Sequence, residues 1–218
     1  MSAQPTKKRP APSDDSILIL TDDDGATIKR QRVDPTLPID PLVFFSKSKD
    51  RSARELSNFA DSPICIGGRW FPTVEHYYQA QKFAVAGCAE FNREFSTEEE
   101  GGVPVVGATG LDAKKAGGKG VMKKRGVVLP LGLWDSEHRT PVMLKALQAK
   151  FKIPAFSRLL QATGDRPLHH FERRPGFWGT HVSSATGERK GDNMLGRMLE
   201  GFRKIINHKA AAVATADE

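Results

Sequence analysis

Three polar residues in one stretch, Glu75, Gln79 and Lys82, have types and a spacing that suit catalysis. At about 100° per residue they fall on one stripe of a helix, with Tyr78 at its edge. A carboxylate can stabilise positive charge and orient water, and a desolvated lysine amine can act as a nucleophile. The alternative is a solvated helix face, since such stripes are common on helix surfaces. The residues expected to pack on the other side are Tyr77, Ala80, Phe83 and Ala84.

A short β-hairpin is predicted directly before this helix. Gly67 and Gly68 allow the positive φ of a primed turn between strands Ile64–Ile66 and Arg69–Phe71. Thr73 is expected to cap the helix, which is predicted from Glu75 to Ala86. Because the helix follows an aromatic-rich hairpin directly, the sequence favours a binding site here over a solvated face.

The composition predicts one domain of ordinary size between two tails. The chain has 218 residues, of which 39% are hydrophobic, and the apolar residues are concentrated between Leu42 and Ile206. The net charge of +7 favours anionic partners such as nucleotides or nucleic acid. Cys65 and Cys88 are too few for a disulfide framework or a zinc quartet, so we expect a reducing compartment and no metal. No apolar run approaches the roughly 20 residues of a membrane span, so no membrane partner is expected.

Residues 1–41 are predicted to be a disordered tail, because they are polar, proline-rich and without a sustained period. Two basic clusters, Lys7–Arg9 and Lys29–Arg32, indicate nuclear import or, alternatively, simple solubilising charge. Between the clusters, aspartates flank four aliphatic residues in a pattern that resembles a SUMO-interacting motif, which adds a strand to a sheet edge. The alternative is a chance apolar patch. These four residues are Ile17, Leu18, Ile19 and Leu20.

A glycine-rich basic loop is predicted from Glu98 to Leu133. Ammonium groups and backbone N–H donors of such a loop can bind phosphates, and a flexible surface insertion is the alternative. No phosphate-binding or dinucleotide-binding glycine motif is present. The cations of this loop are Lys114, Lys115, Lys119, Lys123, Lys124 and Arg125.

The second half of the chain predicts three amphipathic helices. The first begins at Thr140–Pro141 and the second runs from Pro154 to near Gly164. The third begins near Asn193, where free N–H groups are expected to face the ligand cleft, and the tail from Lys209 is expected to fray. A first strand is predicted at Val43–Phe45. The segments His169–Glu172 and Phe177–Gly179 are expected to be irregular.

With these residues in hand, the chain resembles the NADAR (YbiA-like) family of N-glycosidases. The most specific match is the string EHYYQAQKF from Glu75 to Phe83. The matches keep the family's order between about Phe44 and Ile206. The other matching segments are Leu56–Phe59, Trp70–Val74, Trp134–Asp135, Val142–Met143, Ala146–Phe151, Trp178–Gly179 and Gly191–Gly196.

The resemblance implies an α+β fold, mainly helical with a small β element, in a single catalytic domain at residues 42–208, followed by a disordered tail at 209–218. It also implies cleavage of a ribose–amine bond. Some members act on a ribosylamino intermediate of riboflavin synthesis, and others remove ADP-ribose from the exocyclic amine of guanine in nucleic acid. The sequence departs from the family near Trp178, where His170, Pro175 and Thr180 stand in places that carry carboxylates in many relatives. Glu172 is a weak substitute, so Glu75 is the best-supported carboxylate.

Within the resemblance, Glu75 and Lys82 are the expected catalytic residues. Glu75 would stabilise positive charge at C1 of the ribose, and Lys82 would attack C1 and open the ring to a Schiff base. Asn58 and Gln79 are expected to hold ribose hydroxyls, and Gly191 and Asn193 to hold phosphate together with the basic loop. The rings expected to stack a base are Trp70, Tyr78, Trp134 and Trp178.

The predicted function is release of ADP-ribose from ADP-ribosylated guanine by a nuclear or nucleocytoplasmic monomer that uses no cofactor. The basic loop, the basic clusters and the SUMO-interacting pattern favour nucleic acid over a small cytosolic monophosphate. The alternatives are an N-glycosidase of riboflavin intermediates and a non-catalytic reader of ADP-ribosylated nucleic acid. The third alternative is a nucleic-acid scaffold, whose affinity for nucleic acid would fall steeply as the salt concentration rises.

Overall fold

Helix α2 (Val74–Val85) carries the polar stripe and packs against α3 (Ala89–Arg93), α4 (Gly110–Ala116) and α7 (Arg139–Lys150). The computed structural model describes residues 40–183 and 186–214. A π-helical turn, Trp134–His138, joins the short helix α6 directly to α7. The remaining helices are α1 (Arg51–Glu55), α5 (Lys119–Lys124), α6 (Leu131–Leu133), α8 (Pro154–Ala162) and α9 (Met194–Ala214).

The strands form three two-stranded sheets within the described part of the chain. Strand β1 (Leu42–Phe44) pairs in parallel with β4 (Leu168–His170), so the beginning of the domain is joined to its last third. The other two pairs are antiparallel: β2 (Ile64–Ile66) with β3 (Arg69–Phe71), and β5 (His181–Val182) with β6 (Arg189–Lys190). The predicted α+β class, mainly helical with a small β element, is confirmed.

The entry into α2 is as the sequence predicts. Gly67 and Gly68 have φ values of 64° and 75°, which place the hairpin turn in the left-handed region that glycine tolerates. The Thr73 side chain accepts a hydrogen bond from the backbone N–H of His76 at 3.3 Å and caps the helix. Ala84 is exposed, so the prediction that it packs on the apolar side of α2 was wrong.

The loop predicted at residues 98–133 contains three helices, α4, α5 and α6, between irregular segments. Thr109 and Asp112 form a reciprocal capping box at the start of α4, which stabilises a helix where glycines and lysines suggest a loop. A second correction concerns His169, which lies in β4 rather than in an irregular segment, because its backbone pairs with β1. Helix α9 continues past Lys209 as far as Ala214.

One hydrophobic core joins α2 to the helices that follow it. Phe83 of α2 and Leu147 of α7 are fully buried, as are Leu160 of α8 and Leu199 of α9. Burial of each such side chain contributes about 1.5–3 kcal/mol, so the core fixes α2 relative to its neighbours. No helix in the described ranges is long and apolar enough to cross a membrane. The basic clusters and the Ile17–Leu20 motif lie outside the described residues.

Candidate active site

The polar stripe of α2 is a buried chain of hydrogen bonds. The Lys82 ammonium donates to the amide oxygen of Gln79 at 2.8 Å, and the Gln79 amide nitrogen donates to Glu75 Oε1 at 2.7 Å. The exposed fractions of Glu75 and Gln79 are 7% and 4%. The alternative of a solvated helix face is therefore wrong for these two residues, and the amine and carboxylate are connected through the amide.

Contacts with neighbouring backbone hold Glu75 and Gln79 of this chain in place. The backbone N–H of Glu75 donates to the carbonyl of Asn58 at 3.0 Å, which ties the first turn of α2 to the segment after α1. Gly117, at the C-terminal end of α4, lies directly against Gln79, and a methyl group added there would overlap the amide oxygen. The missing side chain therefore lets α4 fix the orientation of the Gln79 amide.

Burial moves both titratable ends of the chain towards their neutral forms. Burial raises the pKa of Glu75 above its usual range. The hydrogen bond from Gln79 and the nearby ammonium groups of Lys114 and Lys82 lower this pKa, but their effect is smaller. Burial likewise lowers the pKa of Lys82, with the Glu75 carboxylate acting against the shift and Lys114 adding to it. A lysine with a lowered pKa has more neutral amine near neutral pH, which is the form that attacks carbon.

Three aromatic rings meet beside Lys82. The Tyr78 ring packs edge-on against Trp134 and Trp178, with centroids 5.3 and 5.7 Å away, and the Trp178 indole N–H donates to the Tyr78 hydroxyl at 3.2 Å. Burial raises the pKa of Tyr78 to about 12, so the hydroxyl stays protonated. The structure thus brings together Tyr78, Trp134 and Trp178, three of the four rings expected to stack a base.

Trp70 is not brought to this cluster. Its backbone pairs with Thr97, and its side chain lines two other cavities at the hairpin. Trp70 is distant from Lys82 because it lies on β3, before the start of α2, whereas Lys82 is near the end of that helix. Among the described residues, no side-chain hydrogen bond joins Trp70 to the Glu75–Gln79–Lys82 chain, and its ring does not pack on Tyr78.

A cavity of about 500 Å³ opens beside Lys82 and Tyr78. Its walls come from the end of α2, from α5 and the residues after it, and from the π-helical turn. Trp134 and Asp135 lie on one side, and the side chains of Lys119 and Lys123 line another. The space suits a group with a flat ring and an anionic part, since rings and ammonium groups both face it.

The other predicted phosphate-binding cations are distributed differently. Arg125 forms an ion pair with Glu94 at 2.6 Å and lies over the Phe91 ring, so it is engaged away from the cavity. Lys115 and Lys124 are exposed on α4 and α5 and do not line this cavity. Lys114 lies near the buried end of the site, where its charge lowers the pKa of Glu75 and of Lys82.

The prediction of free N–H groups at the start of α9 was wrong. The backbone N–H groups of residues 192–195 donate to the carbonyls of residues 176–179, so they fix the loop that carries Trp178. Asn193 uses its side chain to join α9 to β4, accepting from the His170 N–H at 2.9 Å and donating to the Leu168 carbonyl at 2.8 Å. A methyl group added to Gly191 (φ 91°) would overlap the Gly179 carbonyl. Gly191 and Asn193 are therefore engaged with protein groups.

Asn58 lies near Glu75 with an unused acceptor. Its amide nitrogen donates to the Met143 sulfur at 3.5 Å, while the buried Oδ1 has no partner within the described residues. Such an oxygen can accept from a ligand hydroxyl, and an unpartnered buried acceptor otherwise costs about 1–3 kcal/mol. Its placement is compatible with the predicted role in holding ribose.

The sequence prediction gave Lys150 no role and named Glu172 only as a weak substitute for the missing carboxylates. Lys150 is fully buried on α7 and donates to the carbonyls of Glu55 and Ser57 at 2.6 and 2.8 Å, which holds the segment before Asn58. Its spacing from Met143 and Leu147 places it on the apolar face of a predicted helix, and that was the available signal. Glu172, half-buried after β4, perturbs the pKa of Glu75. The sequence did not predict that Glu172 lies close to Glu75, because that proximity depends on the tertiary fold.

The arrangement joins a nucleophile to a carboxylate and an aromatic surface. A neutral Lys82 amine can attack an electrophilic carbon in the cavity, and the Glu75 carboxylate can stabilise the resulting positive charge through Gln79. The nearby rings can bind a flat leaving group. These are the parts needed to break a bond between a sugar carbon and a nitrogen.

Comparison with known proteins gives consistent matches over most of the chain. A family model described as "NADAR domain" matches residues 44–207. N-glycosidase YbiA of Escherichia coli (strain K12) is 34% identical over 181 residues, covering 82% of this chain and 96% of that protein. N-glycosidase Npun_R5314 of Nostoc punctiforme is 30% identical over 153 residues, covering 70% and 85%.

A solved structure also matches. The NMR structure of the E. coli protein YbiA superposes with a TM-score of 0.57 at 30% sequence identity. The alignment covers 83% of this chain and 93% of that one. The residues matched by the family model, 44–207, include the α2 stripe, the aromatic cluster and the first part of α9.

Proposed function

This chain belongs to the NADAR domain family, and we propose that it is an N-glycosidase that releases ADP-ribose from ADP-ribosylated guanine in nucleic acid. The observation that carries the proposal is the buried hydrogen-bond chain from Lys82 through Gln79 to Glu75 at the edge of an aromatic cavity. The proposed reaction is hydrolysis of the bond between C1 of the ribose and the exocyclic amine of the base.

Lys82 provides the covalent route. Its neutral amine attacks C1 and forms a bond through Nζ, the ribose ring opens, and the bond from C1 to the base nitrogen breaks with its electron pair going to nitrogen. Water then adds to C1 of the imine and releases Lys82. Throughout these steps positive charge develops at C1, and the negative charge of Glu75 stabilises it in a site that excludes much of the solvent.

The base and the phosphates have separate supports. Tyr78, Trp134 and Trp178 provide aromatic surface for a base that has left its stack, as enzymes acting on a nucleobase require. Lys119 and Lys123 line the cavity beside them, where ammonium groups would neutralise phosphates. The net charge of +7 supports a polyanionic substrate more than a small monophosphate.

The test is a comparison of two substrates under identical conditions. We expect faster release of ADP-ribose from an ADP-ribosylated guanine in single-stranded DNA than in a duplex, and slower hydrolysis of the ribosylamino-pyrimidine intermediate of riboflavin synthesis. Affinity for the oligonucleotide should fall as salt rises. Far more efficient hydrolysis of the pyrimidine intermediate would assign the other activity, and binding without turnover would make the protein a reader.

The cavity lysines allow a matched control. Changing Lys119 and Lys123 to Ser should weaken oligonucleotide binding by several-fold, whereas turnover of the ADP-ribosylated mononucleotide should change less. Changing Lys115 and Lys124 to Ser removes the same charge from residues that do not line the cavity. Equal losses in both double variants would mean that the lysines act through overall charge alone.

The proposal includes a nuclear or nucleocytoplasmic location and a SUMO partner. It rests on the basic clusters Lys7–Arg9 and Lys29–Arg32 and on the acid-flanked segment Ile17–Leu20. A peptide of residues 12–26 should bind SUMO with micromolar affinity, and replacing the four aliphatic residues by Ala should remove binding. A fluorescent fusion that stays nuclear after both clusters are changed to Ser would overturn the role given to them.

A further inference from the structure

A second carboxyl group, that of Glu172, lies close to Glu75. Glu172 follows β4, is half-buried, and is close enough to Glu75 for its charge to raise the pKa of that carboxyl. The Lys114 ammonium, from α4, acts on both carboxyl groups and lowers the pKa of each. The site therefore contains two carboxyl groups on different elements, with one cation near both.

The backbone holds Glu172 in place. Its own N–H donates to the Thr180 carbonyl at 3.1 Å, and its carboxylate accepts from the N–H groups of Gly176 and Gly179. Gly179 lies so close that a methyl group there would overlap the Glu172 side chain. Trp178 belongs to the same loop, and the start of α9 fixes that loop through four backbone hydrogen bonds.

The carboxyl group and the stacking ring are thus parts of one fixed unit. A base in contact with Trp178 would be close to the loop that Glu172 contacts at Gly179, whereas Glu75 is joined through Gln79 to Lys82. The two acids are suited to different tasks for that reason. One is placed near the leaving group and the other near the nucleophile, which is the division found at sites that use carboxyl pairs.

We propose that Glu172 is the acid that protonates the departing amine. The inference rests on the proposed function. As the bond from C1 to the base nitrogen breaks, the nitrogen keeps the electron pair and takes the proton from the Glu172 carboxyl. Water later adds its hydroxyl to C1 and returns a proton to Glu172, so the sum of the steps is hydrolysis. Glu172 takes this role although it stands at neither of the positions where the family motif has its acids.

Substitution of Glu172 tests the assignment. Glu172→Gln keeps the shape but has no proton to give, so kcat/KM should fall by about 10²-fold or more. The decline of kcat/KM at alkaline pH, which reports loss of the proton from the acid, should disappear in the same variant. In Glu172→Ala, added formate should restore part of the rate. Glu188→Gln, on an exposed glutamate paired with Lys190, is the control and should keep the wild-type rate.

Lys114→Met gives a second test that leaves the carboxyl group in place. Lys114 lowers the pKa of Glu75, Lys82 and Glu172, so its removal should raise all three. Both limbs of the pH–rate profile should therefore move to higher pH. Because Lys114 is exposed, the variant should fold normally, which thermal unfolding checks.

The outcomes separate this inference from the proposed function. A wild-type protein that cleaves the ADP-ribosylated oligonucleotide while Glu172→Gln keeps its rate and its alkaline decline would overturn the role of Glu172 alone. A loss in Glu172→Ala that formate does not restore, with an unchanged pH profile, would make Glu172 structural and also overturn it. A wild-type protein that cleaves no ribosylamine would overturn both proposals.

Discussion

Lys82 and Lys150 lie on neighbouring helices, and burial lowers the pKa of both, but their surroundings differ. Lys150 is fully enclosed and donates to two backbone carbonyls, with its ammonium 4.8 Å from the centre of the Phe156 ring. Lys82 is half-buried, donates to the Gln79 amide oxygen as its only hydrogen-bond partner within the described residues, and lines a cavity. An ammonium group has three donors, so Lys82 keeps donors that a substrate can use.

The comparison shows that burial alone does not identify a catalytic lysine. Burial lowers the pKa of both residues, that of Lys150 to about 7. The amine of Lys150 is nevertheless inaccessible, because carbonyls and rings surround it. We therefore expect open space beside the amine, rather than its pKa, to separate chemistry from structure.

The largest effect should come from replacing Lys82. Lys82→Ala should lower turnover by at least about 10³-fold, on the scale seen when a nucleophile is removed. Borohydride should trap a covalent adduct with the wild-type protein and none with the variant. Lys82→Arg should not restore activity, because a guanidinium is not nucleophilic. The folded fraction of Lys150→Met should still form the adduct. If it does not, Lys150 is not a purely structural lysine, and the contrast drawn with Lys82 is wrong.

Glu75→Gln should have the next largest effect. The change removes the negative charge but keeps the size of the side chain, so substrate binding should survive while kcat falls by about 10²-fold. Measuring Kd and kcat separately checks this division. A variant that loses affinity and keeps kcat would show that Glu75 serves in binding rather than in charge stabilisation.

Gly117→Ala should have a smaller effect through Gln79. The added methyl group overlaps the amide oxygen, so the bond from Lys82 should lengthen and kcat/KM should fall by about 10-fold, equivalent to ~1.4 kcal/mol of transition-state stabilisation. Gly120→Ala is the matched control, because no atom lies within contact distance of the added group. Equal activity in the two variants would mean that Gln79 does not link the two catalytic groups.

Replacing Lys150 should change the free energy of unfolding rather than the catalytic rate. Its pKa is about 7 in the folded chain and higher in the unfolded chain, so the unfolded state binds the extra proton between these values. Stability should therefore rise with pH across this window, by up to about 1.4 kcal/mol per pH unit. Urea unfolding of wild type and Lys150→Met at pH 7 and pH 9 measures the difference, with exposed Lys152→Met as control. Identical pH dependence in all three would contradict the assignment.

The sequence predicts the local parts of the site well. The hairpin turn, the Thr73 cap and the helix over Glu75–Lys82 all follow from residue types at short spacing. The meeting of Tyr78 with Trp178 depended on the family resemblance, because these residues are far apart in the chain. The resemblance itself is confirmed by matches over most of the length.

Other features required the three-dimensional fold. The lysines and glycines before Trp134 suggest a loop, and only the Thr109–Asp112 capping box hinted at a helix. The N–H groups at the start of α9 were predicted to be free because their partners are the carbonyls of residues 176–179. Those residues form an irregular loop, and no sequence pattern indicates that it lies against α9. Trp70 was assigned within the family resemblance, which does not determine where the side chain of a residue on a short strand faces.

The parallel pairing of β1 with β4 has a consequence for the order of folding. The pairing closes a loop that begins at Leu42 and ends at Leu168, and the entropy of closing such a loop must be overcome before the contact contributes. During synthesis, β1 leaves the ribosome long before its partner and has to wait for it. The loop with Trp178 and Glu172 follows β4 directly, so the leaving-group side of the site forms only after the two ends of the domain have met. Folding experiments should therefore show activity appearing in the slowest phase, after most of the helical signal has formed.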